Sequence, residues 1–348
     1  MSKCAESAGA GASPDMRLIT PKYYDNFSCR AGDCTDSCCI GWEIGIDEKT
    51  LKKYSSVGGD IGERLSRGIC RDEDGAYFKL SGDRCPFLNE KNLCDLIIEL
   101  GEGYLCDICR EHPRYYLTLG EDVLCGVGMC CEAAAELILQ DKNPGEYTVH
   151  EGVDAEYEEC DSELYEIVFS AKSDVMECVR QSKSLYSMLC KSYEIIKCAQ
   201  EKIDIEPYKT PKKDVDFAKE RFVSLFSSAE YRRGELLPLL KDAVSSWNGE
   251  VGKETLAYLK NVFAYFIDRY LPIAVCDGDA VSAFAVAVVS TVAIAALFSR
   301  ENFLTLARAV DICKSYSSEI EYNEDNVALI QNSSDELIVC ALSLILKE

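Results

Sequence analysis

Cysteine thiols are the side chains whose type and spacing point to chemistry in this chain. Twenty occur in 348 residues, thirteen at or before Cys131 and seven in the 217 residues that follow. The run Cys29-Arg-Ala-Gly-Asp-Cys34-Thr-Asp-Ser-Cys38-Cys39 comes first, then Cys85-Pro86-Phe87-Leu88 and Cys94. Cys106-Asp-Ile-Cys109-Arg-Glu-His-Pro113-Arg114 follows, and Cys130-Cys131-Glu132 closes the series. Thiolates are soft ligands that select zinc, copper(I) or iron–sulfur clusters. Short gaps let one loop present several sulfurs to one centre, with backbone N–H groups turned towards them.

Ten clustered cysteines are too many for one tetrahedral zinc. They could supply one [4Fe–4S] cluster with spares, two clusters, or a cluster plus a structural zinc. Adjacent Cys38 and Cys39 cannot both point one way in extended backbone, so one of them ligates and the other packs or serves a second centre. The plainer alternative is that free cysteine is a small buried hydrophobe. That reading suits Cys4, Cys70, Cys125 and the seven cysteines after Cys131. Only two histidines occur, His112 and His150, which excludes a histidine-rich metal centre.

The elements that must hold these thiols change character along the chain. Residues 1–16 read as a small, polar, flexible arm without an apolar leader core. Residues 17–145 form the cysteine-rich module, with few long periodic runs. Trp42 to Ile46 and Tyr77 to Leu80 alternate like short strands, and Asp47 can cap a helix through Tyr54. Leu93 to Leu100 and Ala133 to Leu139 read as short helices. Gly101-Glu102-Gly103 reads as a turn after Leu100. Residues 146–348 carry apolar periodicity at helical spacing from Leu164 to Ile203. Further helices are expected at 214–229, 234–247, 252–272, 279–299, 301–318 and 325–346, with Pro207, Pro211, Gly234, Asn248-Gly249 and Asp277-Gly278 as breaks. The fold class expected is mainly α: a cysteine-rich metal-binding N-terminal module with a few short strands, then an all-α helical bundle. Ala280 to Phe298 is uncharged for 19 residues. Its Ala, Ser and Val content reads as a central buried helix rather than a transmembrane span, with membrane association and oligomerisation left open.

Spacing and order give the cysteine series a resemblance. Cys29-x4-Cys34-x3-Cys38-Cys39-x-Gly-Trp42, Cys85-Pro-Phe-Leu, Cys94, Leu105-Cys106-x2-Cys109-Arg-x2-Pro113-Arg114 and Cys130-x-Glu132-Ala-Ala together resemble the flagellin lysine-N-methylase family. The resemblance covers roughly residues 20 to 140. It implies a cytoplasmic enzyme that moves a methyl group from S-adenosylmethionine to lysines of flagellin. It also implies a [4Fe–4S] cluster, with zinc as the alternative metal, held by Cys29, Cys34, Cys38, Cys39, Cys85, Cys94, Cys106, Cys109 and Cys130. Cys131 stands where the family's motif has proline, which favours Cys130 as the ligand. The rival is a non-catalytic zinc- or iron-binding interaction protein, and a redox or electron-transfer role is a third reading.

The residues themselves reach the metal centre and not methyl transfer. No glycine-rich dinucleotide-type turn follows a strand. Cys34-x3-Cys38 opens a radical-type motif, but position 41 is glycine, so that motif is incomplete. A cluster with three cysteine ligands would leave one iron open to a donor's amine and carboxylate. Arg110 and Arg114 are candidates to hold that carboxylate, or else to neutralise anionic thiolates. His112 reads as a hydrogen-bonded structural residue, or a ligand or base, and Trp42 as core. Tyr23, Tyr24, Tyr104, Tyr115 and Tyr116 are available to steer an amine, and no catalytic residue can be named. Thirty-seven Lys and Arg against 60 Asp and Glu give a net charge of −23. That argues against broad nucleic-acid binding; it would attract a lysine-bearing partner, or else simply keep the protein soluble.

Overall fold

The computed structural model describes residues 15–73, 75–209 and 217–345. The expected arm falls on residues 1–14, outside the described residues, and Met16 is already buried.

The front of the chain runs through β1 (Arg17–Pro21), β2 (Gly45–Ile46), α1 (Glu48–Tyr54), α2 (Gly59–Gly68), β3 (Ile69–Arg71), β4 (Ala76–Phe78), α3 (Asp95–Leu100) and α4 (Asp107–Glu111). It continues through β5 (Arg114–Leu119), β6 (Asp122–Val127), α5 (Glu132–Leu139) and β7 (Tyr147–Glu151). Strands β5-β6-β1-β7 form one sheet in that order, with β1 parallel to β6 and antiparallel to β7. A smaller antiparallel sheet has the order β2-β4-β3. The short strand and capped helix read at residues 42–54 are present. Asp47 accepts from the Thr50 N–H at 2.8 Å, and its second oxygen accepts from the Asp107 N–H at 2.9 Å. One carboxylate thus satisfies orphan donors of two helices and ties α1 to the start of α4.

The back half is helical, as expected: α6 (Ser162–Gln181), α7 (Leu185–Asp204), α8 (Ala218–Ser228), α9 (Leu236–Ser246), α10 (Lys253–Tyr270), α11 (Ala274–Asp277), α12 (Ala280–Phe298), α13 (Leu306–Tyr316), α14 (Glu324–Gln331) and α15 (Ser334–Ser343). The periodic run from Leu164 to Ile203 is two helices. Ser184 leaves the helical conformation and caps α7 through the Ser187 N–H. A π-turn over Ser317–Glu321 follows α13.

Helix α12 lies in the centre, against α10, α15, α7 and α9. It is long and apolar enough to cross a membrane by length and composition, and 94% of its apolar window is buried inside the protein. Its small Ala, Ser and Val side chains let neighbouring helices approach on every side. A helix apolar all round is stable when all of its surface is covered.

Apolar side chains sort into two cores. The larger joins Leu119, Leu124 and Val127 of the four-stranded sheet, Ala134 and Ile138 of α5, and the helices around α12. Residues on both sides of position 145 therefore share it. The smaller joins Ile44, Ile46, Tyr54, Ile61, Leu65, Phe78, Phe87 and Leu96 with Cys85 and Cys106. Ten buried residues are a thin core, and it is here that thiols take the place of aliphatic side chains.

Candidate metal centre and the adjoining cleft

The thiols fall into two neighbourhoods. In the inner one, Cys85 donates its backbone N–H to the Cys39 carbonyl at 2.9 Å. Leu88 and Cys94 form an isolated β-bridge, and Cys94 and Cys106 stand at the N-caps of α3 and α4. Cys109 follows Cys106 by three residues, so both face one side of the turn. Cys85 and Cys106 are buried, and Cys39, Cys94 and Cys109 are half-buried. Cys85 lies within electrostatic reach of Cys39, Cys94 and Cys106, and Cys109 within reach of Cys39 and Cys85. Burial pushes the Cys85 thiol up to about 12. Main-chain N–H groups oppose burial, that of Phe87 at Cys85 and those of Ile97 and Leu96 at Cys94.

The outer neighbourhood holds Cys29, Cys34, Cys38 and Cys131. Cys29 and Cys38 are exposed, and Cys34 and Cys131 are half-buried. Burial and then the charge of Cys131 lift Cys34 to about 11. Cys131 stands at the N-cap of α5, where the Ala134 and Ala133 N–H groups offset part of the rise that burial imposes on its thiol. The next residue, Glu132, accepts from the Thr35 N–H at 2.9 Å and faces Arg30 at 3.7 Å. The start of α5 is thereby pinned to the loop between Cys29 and Cys38.

Adjacent Cys38 and Cys39 join the two neighbourhoods. Cys38 senses Cys29 and Cys131, while Cys85 and Cys109 sense Cys39. The two sulfurs perturb each other in opposite directions: interaction with Cys38 lowers the Cys39 thiol and the same interaction raises Cys38. Cys106 and Cys109 behave in the same manner, with Cys106 lowered and Cys109 raised. Trp42 fastens this junction by donating its indole N–H to the Cys38 carbonyl.

The structure brings Cys131, rather than Cys130, to Cys29, Cys34 and Cys38. The half-buried Cys130 turns instead towards Tyr322, Glu321 and Arg269, and burial lifts its thiol to about 12. The reason is local: α5 begins at Glu132, so residue 131 takes the cap position that faces the cysteine loop.

All ten clustered cysteines are free thiols. Among the described residues, no three His, Cys, Asp or Glu side chains are arranged to hold a single metal ion. The donor set is therefore gathered but not converged. Its chemistry fits a thiophilic metal group, since the sulfurs are free and the Ala31 N–H donates to Cys29 at 3.4 Å. A cluster carries its irons at separate corners, so its thiolates stand farther apart than those around one ion.

The arginines read from sequence lie to one side. Arg110 is exposed and pairs with Asp107 and with Glu111 at 3.2 Å. Arg114 donates to the Tyr24 hydroxyl at 2.9 Å and lies over the Phe27 ring at 5.3 Å. The cations that lower clustered thiols are Arg30 for Cys34, Arg84 for Cys39 and Arg269 for Cys130. His112 is the imidazole between Trp42 and Tyr322, with ring centroids 5.8 and 6.4 Å away. Its Nε2 is buried without a hydrogen-bond partner, and burial holds its pKa down to about 4. Tyr115 lies under the Arg269 guanidinium at 4.7 Å, Tyr116 is exposed, and Tyr23 is buried.

A cleft of about 510 Å³ opens between the cysteine loop and the helices. Its walls include Thr35 and Asp36, which lie between Cys34 and Cys38, and Arg232, Arg233, Lys314 and Glu319 from the helical half. Arg233 pairs with Asp36 at 2.9 Å, and the Glu319 carboxylate accepts from the backbone N–H groups of Arg232 and Arg233 at 2.7 and 3.3 Å. Sequence reasoning missed these residues, because no motif marks a loop brought in from two hundred positions away.

No family model and no solved structure matches the chain. Curated relatives do. The flagellar biosynthetic protein FliU of Salmonella muenchen is 28% identical over 138 residues, which is 36% of this chain and 79% of that protein. Lysine-N-methylases of Salmonella choleraesuis strain SC-B67 and Salmonella typhimurium strain LT2 are each 28% identical over 134 residues, again 36% of this chain. The match spans a third of the length of each lysine-N-methylase. The resemblance carried by the cysteine series is thus borne out: over about a third of its length this chain is similar to lysine-N-methylases and to a flagellar biosynthetic protein.

Proposed function

We propose that the protein is a cytoplasmic lysine N-methyltransferase that acts on flagellin, with S-adenosylmethionine as donor and a [4Fe–4S] cluster on its cysteines. The observation that carries this reading is the gathering of free thiols from four separate stretches of a chain whose relatives are named lysine-N-methylases. The outer thiols Cys29, Cys34, Cys38 and Cys131 would hold the cluster, because Cys29 and Cys38 are exposed and the residues between Cys34 and Cys38 line the cleft. The inner thiols Cys39, Cys85, Cys94, Cys106 and Cys109 sit in an apolar core, the setting of a closed structural centre. When bound, the cluster would supply a Lewis-acidic, redox-active iron beside the donor.

The chain's own residues bind and orient. A surface of net charge −23 attracts a lysine-bearing partner. Thr35 and Asp36, between Cys34 and Cys38, form part of one wall of the cleft. In the overall reaction the donor's S–CH₃ bond breaks and an N–CH₃ bond forms on the lysine. The donor leaves as a neutral thioether, and the ammonium releases one proton to solvent.

The test is incubation of anaerobically purified, iron-loaded protein with flagellin and methyl-labelled donor. Label on flagellin lysine is expected. Colourless protein that carries zinc and transfers no label would replace this reading with the non-catalytic metal-binding one.

A further inference from the structure

The charge lining the cleft departs from that of the whole chain. Five basic side chains, Arg232, Arg233, Arg300, Arg308 and Lys314, face five acidic ones there, in a protein with 37 basic and 60 acidic residues. Four of the five cations are already engaged. Arg233 pairs with Asp36, Arg300 with Asp242, Arg308 with Glu301 and Asp311, and Lys314 approaches Glu132 at 4.0 Å. Arg232 differs. Its backbone N–H serves Glu319, but among the described residues its guanidinium has no ion-pair partner and lies beside Gly41, next to the Cys38-Cys39 junction. Glu319 is 5% exposed, and the Arg232 and Arg233 N–H groups both donate to one of its carboxylate oxygens.

An open guanidinium and a buried carboxylate lining one cleft are complementary to an α-amino acid group. The guanidinium matches its carboxylate bidentately, and the acid accepts from its ammonium. Leu236, Leu297 and Ile312 add apolar wall. About 510 Å³ falls in the range of sites for small molecules and cofactors. We propose that this cleft holds the amino-acid end of the methyl donor, with Arg232 on its carboxylate and Glu319 on its ammonium. The proposal rests on the methyltransferase reading and adds where the donor sits. It assigns the carboxylate to Arg232 instead of Arg110 or Arg114.

The experiment is calorimetric binding of S-adenosylhomocysteine to the full anaerobic chain, with 5′-methylthioadenosine, which lacks the amino-acid end, as the second probe. Arg232→Ala should weaken S-adenosylhomocysteine by about tenfold or more, the loss expected for a charge-assisted pair. It should leave 5′-methylthioadenosine unchanged, and Arg232→Lys should restore part of the loss. If unaltered protein binds S-adenosylhomocysteine and Arg232→Ala binds it equally well, the placement is overturned while the methyltransferase reading survives. Loss of affinity in Arg114→Ala with Arg232→Ala intact overturns the placement in favour of the rival arginine. If unaltered protein binds neither probe, the donor reading fails and this placement fails with it.

Discussion

Tyr265 donates its hydroxyl to Glu321 across 2.6 Å and accepts the backbone N–H of Met129 at 3.2 Å. One buried phenol in α10 thereby reaches both the π-turn and the loop that carries Cys130 and Cys131. Arg269 completes the cluster, 3.2 Å from Glu321 and 3.0 Å from the Tyr265 hydroxyl. Tyr265→Phe leaves the Met129 N–H without a partner, while the Glu321 oxygen keeps Arg269. It should cost about 2 kcal/mol, the penalty for an unsatisfied buried group. Thermal unfolding measures the loss, and faster hydrogen exchange at Met129 locates it.

The sorting of the last two front-half thiols predicts opposite metal phenotypes. Cys131→Ser should lower the iron and sulfide bound per chain after anaerobic reconstitution, as should Cys34→Ser. Cys130→Ser should keep both near the unaltered level, since Cys130 faces Tyr322 and Arg269. Iron retained in Cys131→Ser and lost in Cys130→Ser would reverse the assignment.

His112 predicts an acid limb. Burial holds its folded pKa at about 4, below its ordinary 6.5, so the unfolded chain binds the extra proton between those values. Stability from this group is complete above pH 6.5, falls as pH drops and levels off below 4. The total is on the order of 3 kcal/mol, from 1.36 kcal/mol per pKa unit. His112→Phe should flatten that limb in urea titrations run from pH 4 to 7.

Gly128 lies against Tyr322, and a Cβ there would stand 2.0 Å from the phenol oxygen and 2.9 Å from the ring. Gly128→Ala should cost about 1–3 kcal/mol, as overpacking does. Combining it with Tyr322→Ala should recover part of that loss, a non-additivity that a double-mutant cycle reads directly.

Much of the fold was legible because its signals are local. Asp47 after the alternating stretch Trp42 to Ile46 marks the cap of α1, and the uncharged residues from 280 to 298 mark the central helix. Strands β5 and β6 were missed, although Leu119 and Asp122 pair across a two-residue turn whose Gly120 has φ of +61°. Every residue of β6 is buried, so it lacks the alternation that betrays a half-exposed strand. For the candidate site, spacing identified the thiols but could not sort them. Whether residue 130 or 131 meets Cys34 depends on where α5 docks, which is a tertiary fact. Arg232 was illegible for the same reason.

Cys38 and Cys39 are consecutive, yet they serve different neighbourhoods. A displacement of one sulfur reaches the other through a single peptide link, so neither set of thiols can be rearranged in isolation. Whatever seats the exposed set also tensions the enclosed one, and the module's small apolar interior becomes a gauge of events at its surface.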